Sequence, residues 1–137
     1  MALLSTKGVY GIMAILEIAK ASEIAPISIR EISDRIDVSK NYLEQILNGL
    51  RGGGLIESLK GKSGGYFLAK SVDEITFADV FKSMEKDFKL TNLKVNNPNL
   101  DFFFKKYDEK LLKLFDEPIS KFEEYKEEST KFLDFSI

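Results

Sequence analysis

Three features of this 137-residue chain predict a mainly α fold: a winged helix-turn-helix with a small two-stranded wing and a long C-terminal helix. Two short, capped helical patterns are separated only by the turn Asp37-Val38. A hairpin tipped by Lys60-Gly61-Lys62-Ser63-Gly64-Gly65 follows them directly. A long, Phe-rich helical pattern then begins at Leu100. The first two features together form the physical kit for gripping a duplex, a helix that fits the major groove and a wing for the backbone or minor groove.

Taken in order, Ser5 or Thr6 can cap the first helix, where Val9, Ile12, Met13 and Leu16 fall at i, i+3, i+4, i+7 and predict one buried stripe. Ile15, Ile18 and Ala19 widen that stripe and place the helix deep in the domain. Residues 22–27 form a connector containing Pro26. Ser28 and Glu31 read as a capping box opening a short helix with Ile29, Ile32 and Ile36 inward. Ser39 caps the second helix of the pair, whose Leu43, Ile46, Leu47 and Leu50 repeat the buried spacing. Its other face carries Lys40, Asn41, Glu44, Gln45, Asn48 and Arg51, side chains of the type that read base edges. Gly52-Gly53-Gly54 ends that helix, because glycine reaches left-handed geometry without a Cβ clash. Residues 55–59 and 66–69 read as the strands of the wing. Thr76 and Asp79 cap a helix with Phe77, Val80, Phe81 and Met84 on one face.

Residues 85–99 are polar and contain Asn96-Asn97-Pro98-Asn99, a loop or linker signal. Beyond it Leu100, Phe103, Phe104, Tyr107, Leu111, Leu114 and Phe115 form an apolar stripe that Pro118 must break or kink, and Ile119, Phe122 and Tyr125 continue it. Such a stripe on an acidic surface needs a cover, either the first helix folded against it or a second subunit. The expected organisation is a winged-helix domain over 1–84, a variable loop or linker over 85–99, and a helical dimerisation arm over 100–137.

Composition narrows the chemistry. The chain has no Cys and no His, which removes disulfides, thiol nucleophiles, Cys/His zinc sites, cysteine-held iron–sulfur clusters and the Ser-His-Asp triad. Asp73-Glu74, Glu123-Glu124 and Glu127-Glu128 are carboxylate pairs at helix starts or on a polar helix face, where charge is ordinarily solvated. Lys62-Ser63 sits at the end of a P-loop-like spacing, but Ile56 occupies the first glycine position and the loop joins two strands. The expectation is a non-enzyme without a cofactor. Residues 1–70 carry nine basic and seven acidic side chains, and residues 71–137 carry eleven and fifteen, so a net +2 front half balances a net −4 back half. There is no apolar run long enough to span a bilayer and no signal-peptide layout at the start, which points to the cytoplasm.

With these motifs placed, the chain closely resembles the Rrf-two family of bacterial transcription regulators, the group that includes IscR, NsrR and CymR. The resemblance rests on Ser5-Thr6-Lys7-Gly8-Val9-Tyr10, Pro26-Ile27-Ser28-Ile29-Arg30-Glu31-Ile32, Tyr42-Leu43-Glu44-Gln45-Ile46-Leu47, Leu50-Arg51, Gly54-Leu55-Ile56, and Gly61 followed by Gly64-Gly65-Tyr66. It is continuous over about residues 1–85 and one of layout beyond. It implies a homodimer on double-stranded DNA at a pseudo-palindromic operator, most simply as a repressor, with Tyr42, Glu44 and Gln45 at the DNA and Glu44 accepting from a cytosine amino group. Together with the residue reading it gives the candidate DNA-binding set: Lys7, Ser39, Lys40, Asn41, Tyr42, Glu44, Gln45, Arg51, Lys60, Lys62 and Ser63.

Two departures from the family pattern matter. Lys60 stands where relatives usually carry a minor-groove arginine, keeping the charge without the planar fork, and Lys62-Ser63 replaces the usual Pro-Gly. Cluster-binding members also carry three cysteines in the segment matching 85–99, and this chain has none, so iron–sulfur sensing does not carry over. A cluster-free branch of the family is similar to CymR and takes its signal from cysteine synthase. The C-terminal Ile137 resembles the isoleucine that this enzyme captures, making the synthase a candidate partner. The rival expectation from another class is a winged-helix interaction module that does not bind DNA.

Overall fold

The computed structural model describes residues 2–85 and 88–136, and the C-terminal Ile137 lies outside the described residues. The first three helices are α1 (Thr6–Ala19), α2 (Ile29–Ile36) and α3 (Lys40–Gly52). Strands β1 (Ile56–Leu59) and β2 (Gly65–Leu68) pair antiparallel, and α4 (Phe77–Met84), α5 (Pro98–Leu114), a 3-10 turn (Ile119–Lys121) and α6 (Phe122–Ser136) follow. The architecture is the mainly α winged helix-turn-helix that the sequence predicts.

The caps explain where the helices start. Ser5, Ser28 and Ser39 each accept a hydrogen bond from the backbone N–H three residues on, at Gly8, Glu31 and Tyr42. Thr76 and Asp79 complete a reciprocal capping box at α4, both bonds at 3.0 Å. The box expected at Ser28 is only half made, because the Glu31 carboxylate turns to Arg35 at 3.3 Å. Asp37 ends α2 with φ 55°, a left-handed conformation that Asp adopts more readily than most side chains, and Val38 N–H then bonds to Ser33 O. In the Gly52-Gly53-Gly54 run only Gly54 has a positive φ, at 75°, and Leu55 N–H caps the Leu50 carbonyl at 3.1 Å.

The core is a single cluster built from Ile15, Ile18, Ile32, Leu43, Ile46, Leu47, Leu50, Ile56, Ile75 and Val80. The buried face of α1 is only partly the one expected from hydrophobic spacing: Ile15 and Ile18 are buried and Ile12 and Ala19 pack on the core, but Val9 and Met13 do not. Gly8, Gly11, Ala14, Ile15 and Ile18 are buried, whereas Val9 is 47% and Met13 36% exposed. The reason lies in the glycines, which carry no hydrophobic signal but permit close approach. A Cβ on Gly11 would lie 2.6 Å from Met84 Cγ, and one on Gly49 would lie 2.5 Å from Met84 Cε and 3.1 Å from the Ser83 carbonyl oxygen. Met84 thus fills a slot between α1 and α3, and those two glycine faces turn toward α4.

Pro118 splits the C-terminal helical pattern rather than kinking it. α5 stops at Leu114, and the chain then returns to the core. Ala78 N–H donates to Phe115 O, Phe77 N–H to Glu117 O, and Ile119 N–H to Ile75 O, which buries Ile119. Phe88 stacks on Phe81 and meets Phe115 edge-to-face, and Leu90 N–H donates to Asp108 at 2.8 Å, so residues 88–90 are laced to both α4 and α5. Tyr125 donates to Glu117 at 2.8 Å, and that carboxylate holds its phenol above the ordinary tyrosine range. No residue of the 17-residue α5 is buried; Phe103 is 50% and Leu114 69% exposed.

The Met84 slot predicts opposite outcomes for two glycines of one helix. Gly49→Ala should lower stability by about 1–3 kcal/mol, because the added methyl meets Met84 and a backbone carbonyl. Gly52→Ala, where a Cβ meets nothing within 4 Å, should be neutral or raise stability by up to about 1 kcal/mol. Thermal melts of the two variants beside the parent protein check the pair.

Candidate nucleic-acid interface

The helix-turn-helix places α3 so that its apolar side faces the core and its polar side faces water. Leu43, Ile46, Leu47 and Leu50 are buried, while Lys40, Asn41, Glu44, Gln45 and Asn48 are exposed along the opposite side. These exposed side chains offer an ammonium donor, amide donors and acceptors, and one carboxylate acceptor, the chemistry that distinguishes base pairs in a major groove. Ser39 is exposed beside them and its oxygen is engaged as the cap of α3.

Tyr42 differs from its neighbours. It is half-buried and meets Tyr10 edge-to-face, ring centroids 5.9 Å apart. This contact locks the first turn of α3 onto α1. Lys7 is half-buried one turn before Tyr10 on α1, so it lies on the side of α1 that approaches the start of α3.

The wing is anchored at its base and open at its tip. Its register pairs Ile56 with Leu68, Glu57 with Phe67, Ser58 with Tyr66, and Leu59 with Gly65. Tyr66 also exchanges both backbone hydrogen bonds with Ile27, at 2.7 and 3.1 Å, so the segment just before α2 is joined to the wing by an isolated antiparallel bridge. Gly65 is required by that crossing: a Cβ there would lie 2.3 Å from the Ile27 carbonyl oxygen. At Gly64 a Cβ would lie 2.1 Å from the Leu59 carbonyl oxygen, and Gly61 turns the tip with φ 117°. The Gly64-Gly65-Tyr66 sequence is therefore a steric requirement of the wing. Lys60, Lys62 and Ser63 stand exposed at the tip.

Arg51 does not simply face solvent from the end of α3. Its guanidinium donates from Nη2 to Asn48 Oδ1 at 2.8 Å and from Nη1 to Ser58 Oγ at 3.2 Å, linking the helix to β1. Sequence reading missed Ser58. The signal for it is strand phase: with Ile56 buried, period two puts Ser58 on the same side, toward α3.

A winged-helix domain with a polar helix face beside a lysine-bearing wing defines a class of transcriptional regulators, and the comparisons agree. The family model described as Rrf2, iron-dependent transcriptional regulator, matches residues 4–125, and the chain belongs to this family. The regulator CymR of Bacillus subtilis is 39% identical over 82 residues, which are 60% of this chain and 59% of that protein. IscR of Photorhabdus laumondii is 38% identical over 88 residues, 64% of this chain and 54% of that protein. The aligned stretches thus span little more than half the length of these curated relatives. These relatives are named as transcriptional regulators rather than enzymes. The solved structure of B. subtilis CymR, described as its global cysteine regulator, superposes with a TM-score of 0.75 at 28% identity, covering 91% of this chain and 98% of that one. The IscR structure from T. potens gives 0.72 at 29% identity, covering 92% and 89%.

The family's iron chemistry finds no matching donors here. The sequence has neither Cys nor His, and no cluster of three or more Asp or Glu side chains among the described residues is placed to hold a metal ion. A cysteine-held cluster does not fit this chain. Among the described residues no helix is long and apolar enough to cross a membrane.

Because Gly65 admits no side chain where β2 crosses Ile27, Gly65→Ala should cost about 1–3 kcal/mol and loosen the wing before the rest of the domain. Amide exchange in the variant should accelerate at Tyr66 and Ile27 while α1 and α3 keep their protection; equal loss of protection everywhere would show that the crossing is not the local anchor.

Proposed function

We propose that this chain is a sequence-specific, DNA-binding transcriptional regulator that acts in the cytoplasm as a homodimeric repressor on a palindromic operator, without an iron–sulfur cluster. The observation that carries the proposal is the joint presentation of α3 and the wing. The exposed side of α3 bears Lys40, Asn41, Glu44 and Gln45, and the wing tip beside it bears Lys60, Lys62 and Ser63. In this reading α3 enters the major groove, and Glu44 accepts from a cytosine amino group. The wing lysines meet phosphate or minor groove, Lys7 and Ser39 meet backbone at the start of α3, and Tyr42 holds the helix at its angle.

A dimer is supported by α5. Leu100, Phe104, Tyr107, Leu111 and Leu114 follow the alternating four-three spacing of a coiled-coil seam. None of them is buried within the chain, so the 98–114 helix supplies a face for the same helix of a second copy. Two copies present two recognition helices, which calls for two half-sites of opposite orientation. In this reading the dimer represses by occupying the duplex. The exposed polar side of α3 and the wing lie on neighbouring elements, which supports DNA binding over the interaction-module reading.

The test begins with selection from a randomised duplex library, followed by titrations at several salt concentrations. Lys60→Ala and Lys62→Ala should each weaken binding to every duplex and flatten the salt slope by about one unit. Glu44→Ala should instead relax the preference at one base pair and leave the slope unchanged. Parent-like affinity, slope and preference in all three variants would rule out this docking.

A further inference from the structure

The wing and the recognition helix are joined by one side chain that bridges two elements. Arg51 sits in the last turn of α3, and Ser58 lies in the middle of β1, seven residues further on and beyond the Gly53-Gly54 turn. The guanidinium is held from behind by Asn48 Oδ1 at 2.8 Å, one turn earlier on the same helix, and reaches forward to Ser58 Oγ at 3.2 Å. Both acceptors are neutral oxygens. The two bonds fix the plane of the fork, which leaves its remaining N–H groups directed by the protein rather than by a ligand.

Resting on the DNA-binding reading above, we infer that Arg51, Asn48 and Ser58 form a strut that sets the reach of the wing relative to α3, and that Ser58 is a specificity-determining positioning residue. The base of the wing has two other ties. Leu55 N–H caps α3 through the Leu50 carbonyl, and Tyr66 is bonded to Ile27 through the backbone. The first acts at the core end of β1, whereas the second holds β2 at the level of Ser58, its partner in the register. The Arg51–Ser58 bond grips the other strand, β1, further out than the Leu55 tie and opposite Tyr66 in the register, two residues before Lys60. Lys60 follows the end of β1 directly, two residues beyond Ser58, so a change in the angle of the strand at Ser58 moves it. Groove spacing in a duplex is fixed, so a preset wing lets Lys60 land while α3 is seated. A free wing must be ordered at the moment of binding, and that lowers affinity. Arg51 itself is thereby a positioning residue, in place of the direct DNA contact its sequence position suggests.

The strut is tested with the full chain carrying Ser58→Ala, Ser58→Thr, Lys60→Ala and the Ser58→Ala/Lys60→Ala pair, each titrated against the duplex selected by the parent protein. Ser58→Ala should weaken binding about three- to tenfold, the range expected for one lost hydrogen bond, with the salt slope unchanged because no phosphate contact is removed. Ser58→Thr, which keeps the hydroxyl, should restore most of the loss. Lys60→Ala should cost less in the Ser58→Ala background than alone, the coupling expected of a residue that places another. Parent-like affinity of Ser58→Ala, or strictly multiplicative effects in the pair, would overturn the strut. A second readout needs no DNA. In the free protein, Ser58→Ala should speed amide exchange in β1 and β2 while α3 is unaffected, and unchanged exchange would also overturn it. If the parent protein selects no duplex, the DNA-binding reading falls, and the exchange measurement still decides whether Arg51 and Ser58 hold the wing.

Discussion

The fold depends on the close meeting of α1, α3 and α4 around Met84. A thioether side chain fills the gap left by two missing ones, at Gly11 and Gly49, and the three helices approach more closely than side-chain-bearing positions would allow. This meeting fixes the rotation of α3 about its own axis. Because Leu43, Ile46, Leu47 and Leu50 then face the core, the polar residues between them face outward together. The same junction brings Glu85, just past α4, against the start of α1, where its carboxylate accepts from the Ser5 N–H at 2.9 Å and from the Ser5 hydroxyl. The end of α4 is thus tied both to α3 and to the first turn of the domain.

From that junction the rest of the molecule follows in two directions. Toward the wing, the Gly54 turn and the crossing of Tyr66 with Ile27 carry the rigid core outward to a tip that carries the lysines. Toward the C-terminus, the Phe81–Phe88–Phe115 cluster and the backbone bonds around Ile119 lace the second half onto the first. The segment that bears cluster cysteines in some relatives is bound here by aromatic packing and by the Leu90–Asp108 bond.

Much of this was legible in the sequence. Caps at Ser5, Ser39 and Thr76 marked helix starts, and the leucines of α3 marked its buried side. Pro118 marked a break. The failures share a cause, which is that hydrophobic spacing reports side chains and not their absence. Gly8 and Gly11 turned α1 by a face, leaving Val9 and Met13 outside where a buried stripe was expected. Ser28 and Glu31 matched a capping pattern, yet Arg35 offered the carboxylate a charged partner that the pattern could not weigh. The bond of Arg51 to Ser58 was not legible either, since it depends on a strand that only the folded chain brings near. The return of Ile119 to the core likewise needed backbone pairing across more than forty residues of chain, which no local pattern encodes.

The central claim is that two copies of this chain set two α3 helices on one duplex. Hydroxyl-radical footprinting of the full chain on a selected duplex tests it most directly. Two protected patches, related by symmetry and centred about one helical turn or a multiple of it apart, are the predicted result. A single short patch, or uniform protection independent of sequence, would contradict the claim.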